Sequence, residues 1–299
     1  MDRAPQVSVI VIFLDAERFL DEAVASVRAQ TLEDWELLLC DDGSTDGSAA
    51  IAEGWALRDR RVRCLHHPGR VNRGMAATRN LGLRHATGRY VALLDADDAW
   101  LPMKLEHQIA ILERHPDAGM VCGASLYWQS WAPGAVEEQD RVVPVGAPQD
   151  ALIPPPGLIT TLYPLGPGTP PCPSDVVCRK EAIEGVGGFE EHFLGDRQLY
   201  EDQGFLSKLY LEHPVYVSGA CLGRYRLHPD SCVATVLRSG RYHEVRRYYL
   251  EWLGRYLRRE RIEDESVLRA LQTARRQDRL LAMKRRVPPF VRRMAGPLR

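Results

Sequence analysis

The sequence of 299 residues lacks several features that mark particular classes of protein. It has no run of about 18 apolar residues, the length that a membrane-spanning helix needs, and no apolar segment of the secretory type near residue 1. Its seven cysteines form no C-x-x-C pair and show no zinc-type spacing, which argues against a thiol redox motif and a structural zinc site. These absences predict a cytoplasmic protein that does not span a membrane.

The formal net charge is only −1, but the charges are unevenly distributed along the chain. Residues 241–299 contain 17 Lys and Arg against 7 Asp and Glu, whereas residues 1–240 contain 22 against 33. This basic C-terminal extension could be a solvated helical face, a peripheral contact with anionic lipid at the inner face of the membrane, or a dimerisation element. The apolar side chains that would contact lipid beside these basic residues are Leu280, Leu281, Met283, Val287, Phe290, Val291 and Met294. Nucleic acid is not an expected partner, because the body is acidic and no recognisable binding module is present.

Short apolar runs alternate with helical patterns over about the first 125 residues. The β-branched run at 7–12 predicts a buried strand, and the apolar positions of 17–29 fall on one helical face. Further helices are predicted at 46–58, with Asp46 as N-cap, and at 76–86 and 104–114, and further strands at 35–41, 62–65, 90–94 and 119–122. This alternation predicts an α/β fold with a parallel sheet and right-handed crossovers.

The pattern changes after residue 125. Residues 132–175 are rich in proline and glycine, which predicts a long functional loop or lid without regular helix or central strand. Later elements are predicted as helices at 179–184 and 203–212, strands at 215–217 and 222–227, and two or three amphipathic helices from about residue 240.

Two acidic clusters follow apolar runs that are typical of buried strands. Residues 41–42 follow the run 35–40, and residues 95–98 follow the run 90–94. Because ligands of open α/β sheets bind at the carboxyl ends of strands, we expect both clusters to line one crevice. Crowded carboxylates repel one another, so a divalent metal with a phosphate-bearing ligand is the predicted partner.

Each cluster also has a simpler interpretation. Residues 41–46 could be only a strand-to-helix turn, and Asp98 could only cap the turn that follows it. Asp95 and Asp97 are separated by one residue, so their side chains can point to the same side, toward one Mg²⁺ or Mn²⁺ ion. This spacing after an apolar strand favours metal binding over capping.

The turn after the first strand, residues 13–17, contains no glycine. Rossmann dehydrogenases bind the diphosphate of their cofactor through glycines at this place, and related nucleotidyltransferases usually have a glycine-rich loop there. The turn therefore argues against both classes and predicts that a metal ion neutralises the diphosphate.

Several ordered blocks of the sequence resemble glycosyltransferase family 2, whose fold is GT-A. The blocks are residues 7–12, 26–31, 35–38, 41–48, 77–82, 88–98, 186–189, 201–202 and 225–228. The resemblance implies an α/β GT-A domain at 1–235, with a mixed, mainly parallel sheet flanked by helices. A Rossmann-like nucleotide-binding half would occupy 1–125 and an acceptor-binding half 126–235, followed by the helical extension at 236–299.

The resemblance also implies which residues bind a nucleotide-sugar donor. Asp42 would bind the base, Asp95 the ribose, and Asp97 the Mn²⁺ or Mg²⁺ that bridges the diphosphate. The other residues expected in or near the donor pocket are Ile12, Phe13, Asp15, Asn72, Arg79 and Ala96. Arg79 could alternatively be a solvated helix residue.

Two further residues acquire roles from the resemblance. Asp202 would be the general base that deprotonates the acceptor hydroxyl; without the resemblance, it would be an acid favoured by a helix N-terminus. His228 would lie near the metal or the diphosphate, although a lone histidine is more often structural.

These inferences predict an inverting, metal-dependent glycosyltransferase. It would move a sugar from a nucleotide sugar, with a UDP-sugar favoured, to a hydroxyl of a carbohydrate, lipid-linked or other acceptor. The alternative is a non-catalytic nucleotide-sugar-binding or assembly protein that has kept the fold.

Overall fold

The computed structural model describes residues 4–294, apart from residues 133, 135, 137, 138 and 285. The strands are β1 (Val7–Phe13), β2 (Trp35–Asp41), β3 (Val62–His66), β4 (Tyr90–Asp95), β5 (Ala99–Trp100), β6 (Met120–Trp128), β7 (Arg141–Val143), β8 (Ala151–Ile153), β9 (Val176–Arg179) and β10 (Val215–Arg226). They form one sheet with the order β3-β2-β1-β4-β9-β6-β10-β5, and β7 and β8 pair with β6 and β10.

Helices cover both faces of this sheet. They are α1 (Leu20–Arg28), α2 (Ser48–Arg58), α3 (Met75–His85), α4 (Lys104–Arg114), α5 (Gly157–Thr161), α6 (Lys180–Gly185), α7 (Glu201–Glu212), α8 (Cys232–Arg238), α9 (Tyr242–Arg259), α10 (Glu265–Met283) and α11 (Pro289–Met294). The α/β prediction is therefore confirmed.

The sheet is mixed and mainly parallel, as predicted. Strands β3, β2, β1 and β4 pair in parallel, and β6 pairs in parallel with β10. β9 runs antiparallel to both β4 and β6, so it separates two sets of strands that point the same way. All four residues of β9 are buried, because the strand lies in the middle of a covered sheet.

Two predicted helix starts are wrong. α1 begins at Leu20 rather than at residue 17, because the preceding segment is a turn held by the loop after β2: Glu17 accepts from the Gly47 amide at 2.8 Å. Asp46 is not the N-cap of α2, which is Gly47. The Asp46 carboxylate instead accepts from the amides of Ser48 and Glu17, at 2.9 and 3.0 Å, and thus joins two loops.

The second half is more regular than predicted. Residues 132–175 contain the short strands β7 and β8 and the five-residue helix α5, so the prediction of a loop without regular structure is wrong. β7 pairs with residues 125–127 of β6, beyond the part of β6 that pairs with β9, and β8 pairs with residues 215–217 of β10. Each is thus a short outer strand of three residues, next to which proline-rich connections are tolerated. The two strands predicted at 215–217 and 222–227 are one strand, β10. Its pairing with β6 shifts register between Val217 and Gly223, but the strand continues through the shifts.

The alternation of side chains in the central strands produces two cores. Val7, Val9 and Val11 of β1 face one hydrophobic cluster with α1 and α4. Ile10 and Ile12 face the other, which extends through α7 and α9. The C-terminal helices thus share a core with the sheet, while the domain division at residue 235 stays a prediction.

Part of the apolar surface of the basic extension packs inward. Val291 is buried, and Val287, Phe290 and Met294 are partly buried against the core, so less of their apolar surface is available for lipid contact than expected. Leu280 and Met283 are exposed. Within the described residues, no helix combines the length and apolar character required to cross a membrane. Peripheral contact and dimerisation stay predictions.

Candidate active site

The two acidic clusters meet at one edge of the sheet. β1 lies between β2 and β4, and Ile12 is in register with Cys40 on β2 and with Asp95 on β4. Because all three strands are parallel, their carboxyl ends open on the same side. The predicted common edge is confirmed.

Asp42 is held by a loop that follows β3. Its carboxylate is buried and accepts from the amides of Arg73 at 2.7 Å and Gly74 at 3.0 Å. The Asn72 side chain is exposed beside it and also accepts from the Gly74 amide, at 3.1 Å. A Cβ at Gly43, which has φ +90°, would lie 2.9 Å from backbone atoms of this loop, so only glycine allows the close approach.

Three predicted donor-pocket residues contribute mainly to the scaffold of this edge. Phe13 and Ala96 are buried in the core beside α1, and the Phe13 carbonyl accepts from the Asp42 amide at 2.9 Å. Asp15 is exposed, and its carboxylate accepts from the Thr45 amide at 2.7 Å. Their contacts with a donor stay predictions.

Arg79 links two acidic elements. Its side chain is almost fully buried, and it donates from Nη2 to Asp95 at 2.8 Å and from Nε to Glu201 at 2.9 Å. Burial lowers the pKa of Arg79, but these two carboxylates outweigh it and hold the pKa above its ordinary value. The alternative of a solvated helix residue is therefore wrong, and α7 is tied to the end of β4.

The acidic residues in the turn after β4 have different surroundings. Asp97 is partly exposed, and its Oδ2 lies 2.9 Å from Nε2 of His228. Asp98 is buried and accepts from the Ser174 hydroxyl at 2.5 Å and the Arg226 amide at 2.8 Å. Burial, followed by repulsion from Asp97 and Asp95, raises the pKa of Asp98. Asp98 thus joins this turn to distant parts of the chain rather than capping it.

Asp97 and His228 fit a shared divalent ion. Two ligand atoms about 3 Å apart can take neighbouring positions around an ion with bonds of about 2.1 Å. In the described part of the chain, no group of three or more His, Cys, Asp and Glu side chains is placed to hold a metal. The pair therefore suits an ion that takes its remaining ligands from water and donor phosphates, as Mg²⁺ commonly does.

Asp202 lies in the first turn of α7, next to Glu201. Burial raises the pKa of Asp202 to about 6, although hydrogen bonds from Gln203 and the charge of Arg79 oppose the shift. Burial likewise raises the pKa of Glu201 to about 7. A carboxylate with a pKa near neutrality is suited to accept a proton in a reaction at ordinary pH.

Arg226 and His67 are site residues that the sequence interpretation did not identify. Arg226 is buried, donates from Nε to the Asp97 carbonyl at 2.6 Å, and lies with its guanidinium carbon 4.3 Å from the Trp128 ring centre. His67 is buried 3.8 Å from the Asp42 carboxylate. Arg226 lies in a block that resembles the family, two residues before His228, whereas nothing in the sequence singled out His67.

Comparisons with known proteins identify glycosyltransferases with similar sequences. Residues 8–138 match the family model "Glycosyl transferase family 2". EpsE of Bacillus subtilis, classed as a glycosyltransferase, is 33% identical over 190 residues, which are 63% of this chain and 62% of EpsE. The Escherichia coli enzyme WfgD, named a UDP-Glc:α-D-GlcNAc-diphosphoundecaprenol β-1,3-glucosyltransferase, is 38% identical over 106 residues, 36% of this chain and 40% of WfgD. The chain thus spans less than two thirds of these relatives.

Solved structures share the fold at low identity. Staphylococcus aureus TarS 1-349 in complex with UDP-GlcNAc has a TM-score of 0.57 and 20% identity, covering 82% of this chain and 65% of TarS 1-349. The Pyrobaculum calidifontis mannosyltransferase PcManGT, in complex with GDP-Man and Mn²⁺, has a TM-score of 0.60 and 19% identity, covering 98% and 79%. The GT-A prediction is therefore confirmed, and the resemblance to glycosyltransferase family 2 is confirmed over residues 8–138.

Proposed function

We propose that the protein is an inverting, metal-dependent glycosyltransferase that transfers a sugar from a UDP-sugar to an acceptor hydroxyl. The observation that carries the proposal is the buried Arg79, which joins Asp95 of the nucleotide half to Glu201 beside Asp202. This contact brings the predicted donor residues and the predicted base to one edge of the sheet.

The roles proposed at this edge follow from the surroundings of each carboxylate. Asp42, fixed by two backbone amides, would accept from the donor's base, and Asp95, fixed by Arg79, would accept from the ribose. Asp97 and His228 would hold Mn²⁺ or Mg²⁺. When bound, the ion would stabilise the negative charge that develops on the departing nucleoside diphosphate.

Asp202 would accept the proton of the acceptor hydroxyl as that oxygen attacks the anomeric carbon. The bond from the anomeric carbon to the diphosphate breaks in the same displacement, which inverts the configuration. Because no covalent intermediate is needed, one base suffices. The segment 132–175 would cover the acceptor.

The names of relatives support the substrate classes. WfgD is named for UDP-Glc and for an acceptor carried on diphosphoundecaprenol, and TarS has been solved with UDP-GlcNAc. PcManGT has been solved with GDP-Man, so GDP is the competing nucleotide. We propose a UDP-sugar donor and a carbohydrate acceptor, which could be linked to a lipid.

Titration of UDP and GDP by calorimetry, with and without Mn²⁺, tests the donor. We expect UDP to bind more tightly and Mn²⁺ to strengthen the binding. Tighter binding of GDP would overturn the nucleotide assignment, and no binding of either nucleotide would overturn the proposed function.

Substitution of the base then separates catalysis from simple binding. We expect Asp202→Asn to lower sugar transfer or donor hydrolysis about a thousandfold, within the range for loss of a general base, while UDP binding is retained. Asp34→Asn, at an exposed position outside the site, is the matched control. Equal rates in Asp202→Asn and the wild type would exclude Asp202 as the base.

A further inference from the structure

A cavity of about 410 Å³ lies between α9 and α10, in the basic extension. Five of its eight lining residues are arginines: Arg247, Arg255, Arg258, Arg275 and Arg279. They come from one face of each helix, so the hairpin of α9 and α10 gathers them along one groove. We name this cavity the arginine groove.

Most of this positive charge has no carboxylate partner among the residues that the structure describes. The groove is also lined by Glu251 and Asp278, but Asp278 is buried and already bonded to Arg246 at 3.1 Å. Arg247 lies 3.6 Å from the same carboxylate. In the part of the chain that the structure describes, the other four groove arginines form no ion pair.

Gly254 shapes the groove around Arg275. A glycine in a helix interior is about 1 kcal/mol less favourable than alanine. A Cβ at Gly254 would lie only 2.1 Å from Nη2 of Arg275, so the missing side chain lets the guanidinium lie against α9. There the Arg275 side chain donates to the Leu250 carbonyl at 2.9 Å, the one hydrogen bond of this side chain among the described residues.

The surroundings of Arg275 favour an added anion. Burial, together with the charges of Arg258 and Arg279, lowers the pKa of Arg275, although the charge of Glu251 opposes the shift. A guanidinium has five N–H donors in a planar fork that matches phosphate oxygens. An anion between these side chains would therefore gain hydrogen bonds and relieve their mutual repulsion.

We propose that the arginine groove binds a phosphate-bearing anion, with Arg275 at its floor and Arg258 and Arg279 at its rim. The anion could be a lipid headgroup or a soluble diphosphate, since both present the same oxygens. The groove residues are separate from Asp97 and Asp202, so this proposal does not depend on the proposed catalytic activity.

The test uses the full chain and a variant with a weakened rim, Arg258→Ala/Arg279→Ala. Both side chains are exposed, so the fold should survive, which circular dichroism checks. Arg269→Ala/Arg276→Ala removes the same charge from exposed positions of α10 outside the groove and is the matched control. Inorganic pyrophosphate is titrated in EDTA, and sedimentation is measured with phosphatidylcholine vesicles that contain or lack phosphatidylglycerol.

We expect the rim variant to weaken binding at least about tenfold, as the loss of charged hydrogen bonds predicts, and the control to bind like the wild type. Selective loss with pyrophosphate supports a soluble anion, and selective loss with vesicles supports a lipid headgroup. The proposal is overturned if the wild type binds neither probe, if the rim variant binds as well as the wild type, or if the control loses as much binding as the rim variant.

Discussion

Carboxylates of the same type acquire different properties within this site because their surroundings differ. Asp97 is partly exposed beside His228, Asp98 is buried against Ser174, and Asp202 is partly buried next to Glu201. Burial destabilises the charged form, whereas nearby cations and amides stabilise it. The positions of these residues could be predicted from the sequence, but the raised pKa values of Asp98 and Asp202 depend on tertiary contacts.

The pKa of Asp202 predicts the pH dependence of transfer. A base must be deprotonated, so kcat/KM should fall as the pH drops through about 6 and level off above it. The profile should be measured with the best donor at constant metal concentration. A profile that stays flat down to pH 5, with the fold intact by circular dichroism, would exclude titration of Asp202 as the cause.

Replacement of Asp97 tests the proposed metal site. We expect UDP to raise the melting temperature of the wild type more with Mn²⁺ than without it, and Asp97→Ala to remove that difference. Asp117→Ala, at an exposed position, makes the same change in charge and should respond like the wild type. An unchanged Mn²⁺ effect in Asp97→Ala would assign the metal to other ligands.

At the scale of elements, the strands and most helix lengths follow from the local hydrophobic pattern of the sequence. Where a helix begins or ends depends on contacts with other parts of the folded chain. The β-branched run of β1 is sufficient to predict a buried strand. The start of α1 was mispredicted because Glu17 bonds to the loop after β2, a contact between residues 30 positions apart. β9 was missed because a strand of four residues has too short a pattern to be recognised.

The packing of α3 on β1 depends on a glycine. A Cβ at Gly82 would lie 2.6 Å from Cγ2 of Ile10, whose branched side chain is fixed in the core. We expect Gly82→Ala to lower the free energy of unfolding by about 1 kcal/mol, since overpacking outweighs the gain in helix propensity.

Gly54 in α2 provides the matched control for Gly82→Ala. It has nothing within 4 Å of the Cβ position, so Gly54→Ala should raise the free energy of unfolding by up to about 1 kcal/mol. Urea denaturation measures both variants. If both substitutions changed the free energy of unfolding in the same direction, the proposed close packing of α3 on β1 would be contradicted.

At the scale of the whole molecule, the C-terminal extension is joined to the site. The hydroxyl of Tyr200, directly before α7, lies 3.1 Å from those of both Tyr163 and Tyr242. Tyr163 comes from the segment 132–175 and Tyr242 begins α9. The cluster therefore joins the proposed acceptor cover, the proposed catalytic helix and the extension.

The buried pair of Arg246 and Asp278 should make the extension sensitive to a single substitution. Removing Asp278 leaves Arg246 buried without its carboxylate, so we expect Asp278→Ala to lower the free energy of unfolding by about 3 kcal/mol. Glu263→Ala removes an exposed charge from the same extension and should change it by less than about 0.5 kcal/mol. Equal urea denaturation midpoints for the wild type and Asp278→Ala would contradict a stabilising role for the pair of Arg246 and Asp278.

The sequence by itself determined the alternation of strands and helices, the acidic residues at two strand ends and the family resemblance. These features depend on local periodicity and residue type, which can be read from consecutive residues of the sequence. The tertiary structure decided that Arg79 is buried between Asp95 and Glu201, that Asp97 meets His228, and that the basic extension packs into the core. Such contacts join residues up to 131 positions apart, so only the folded chain could establish them.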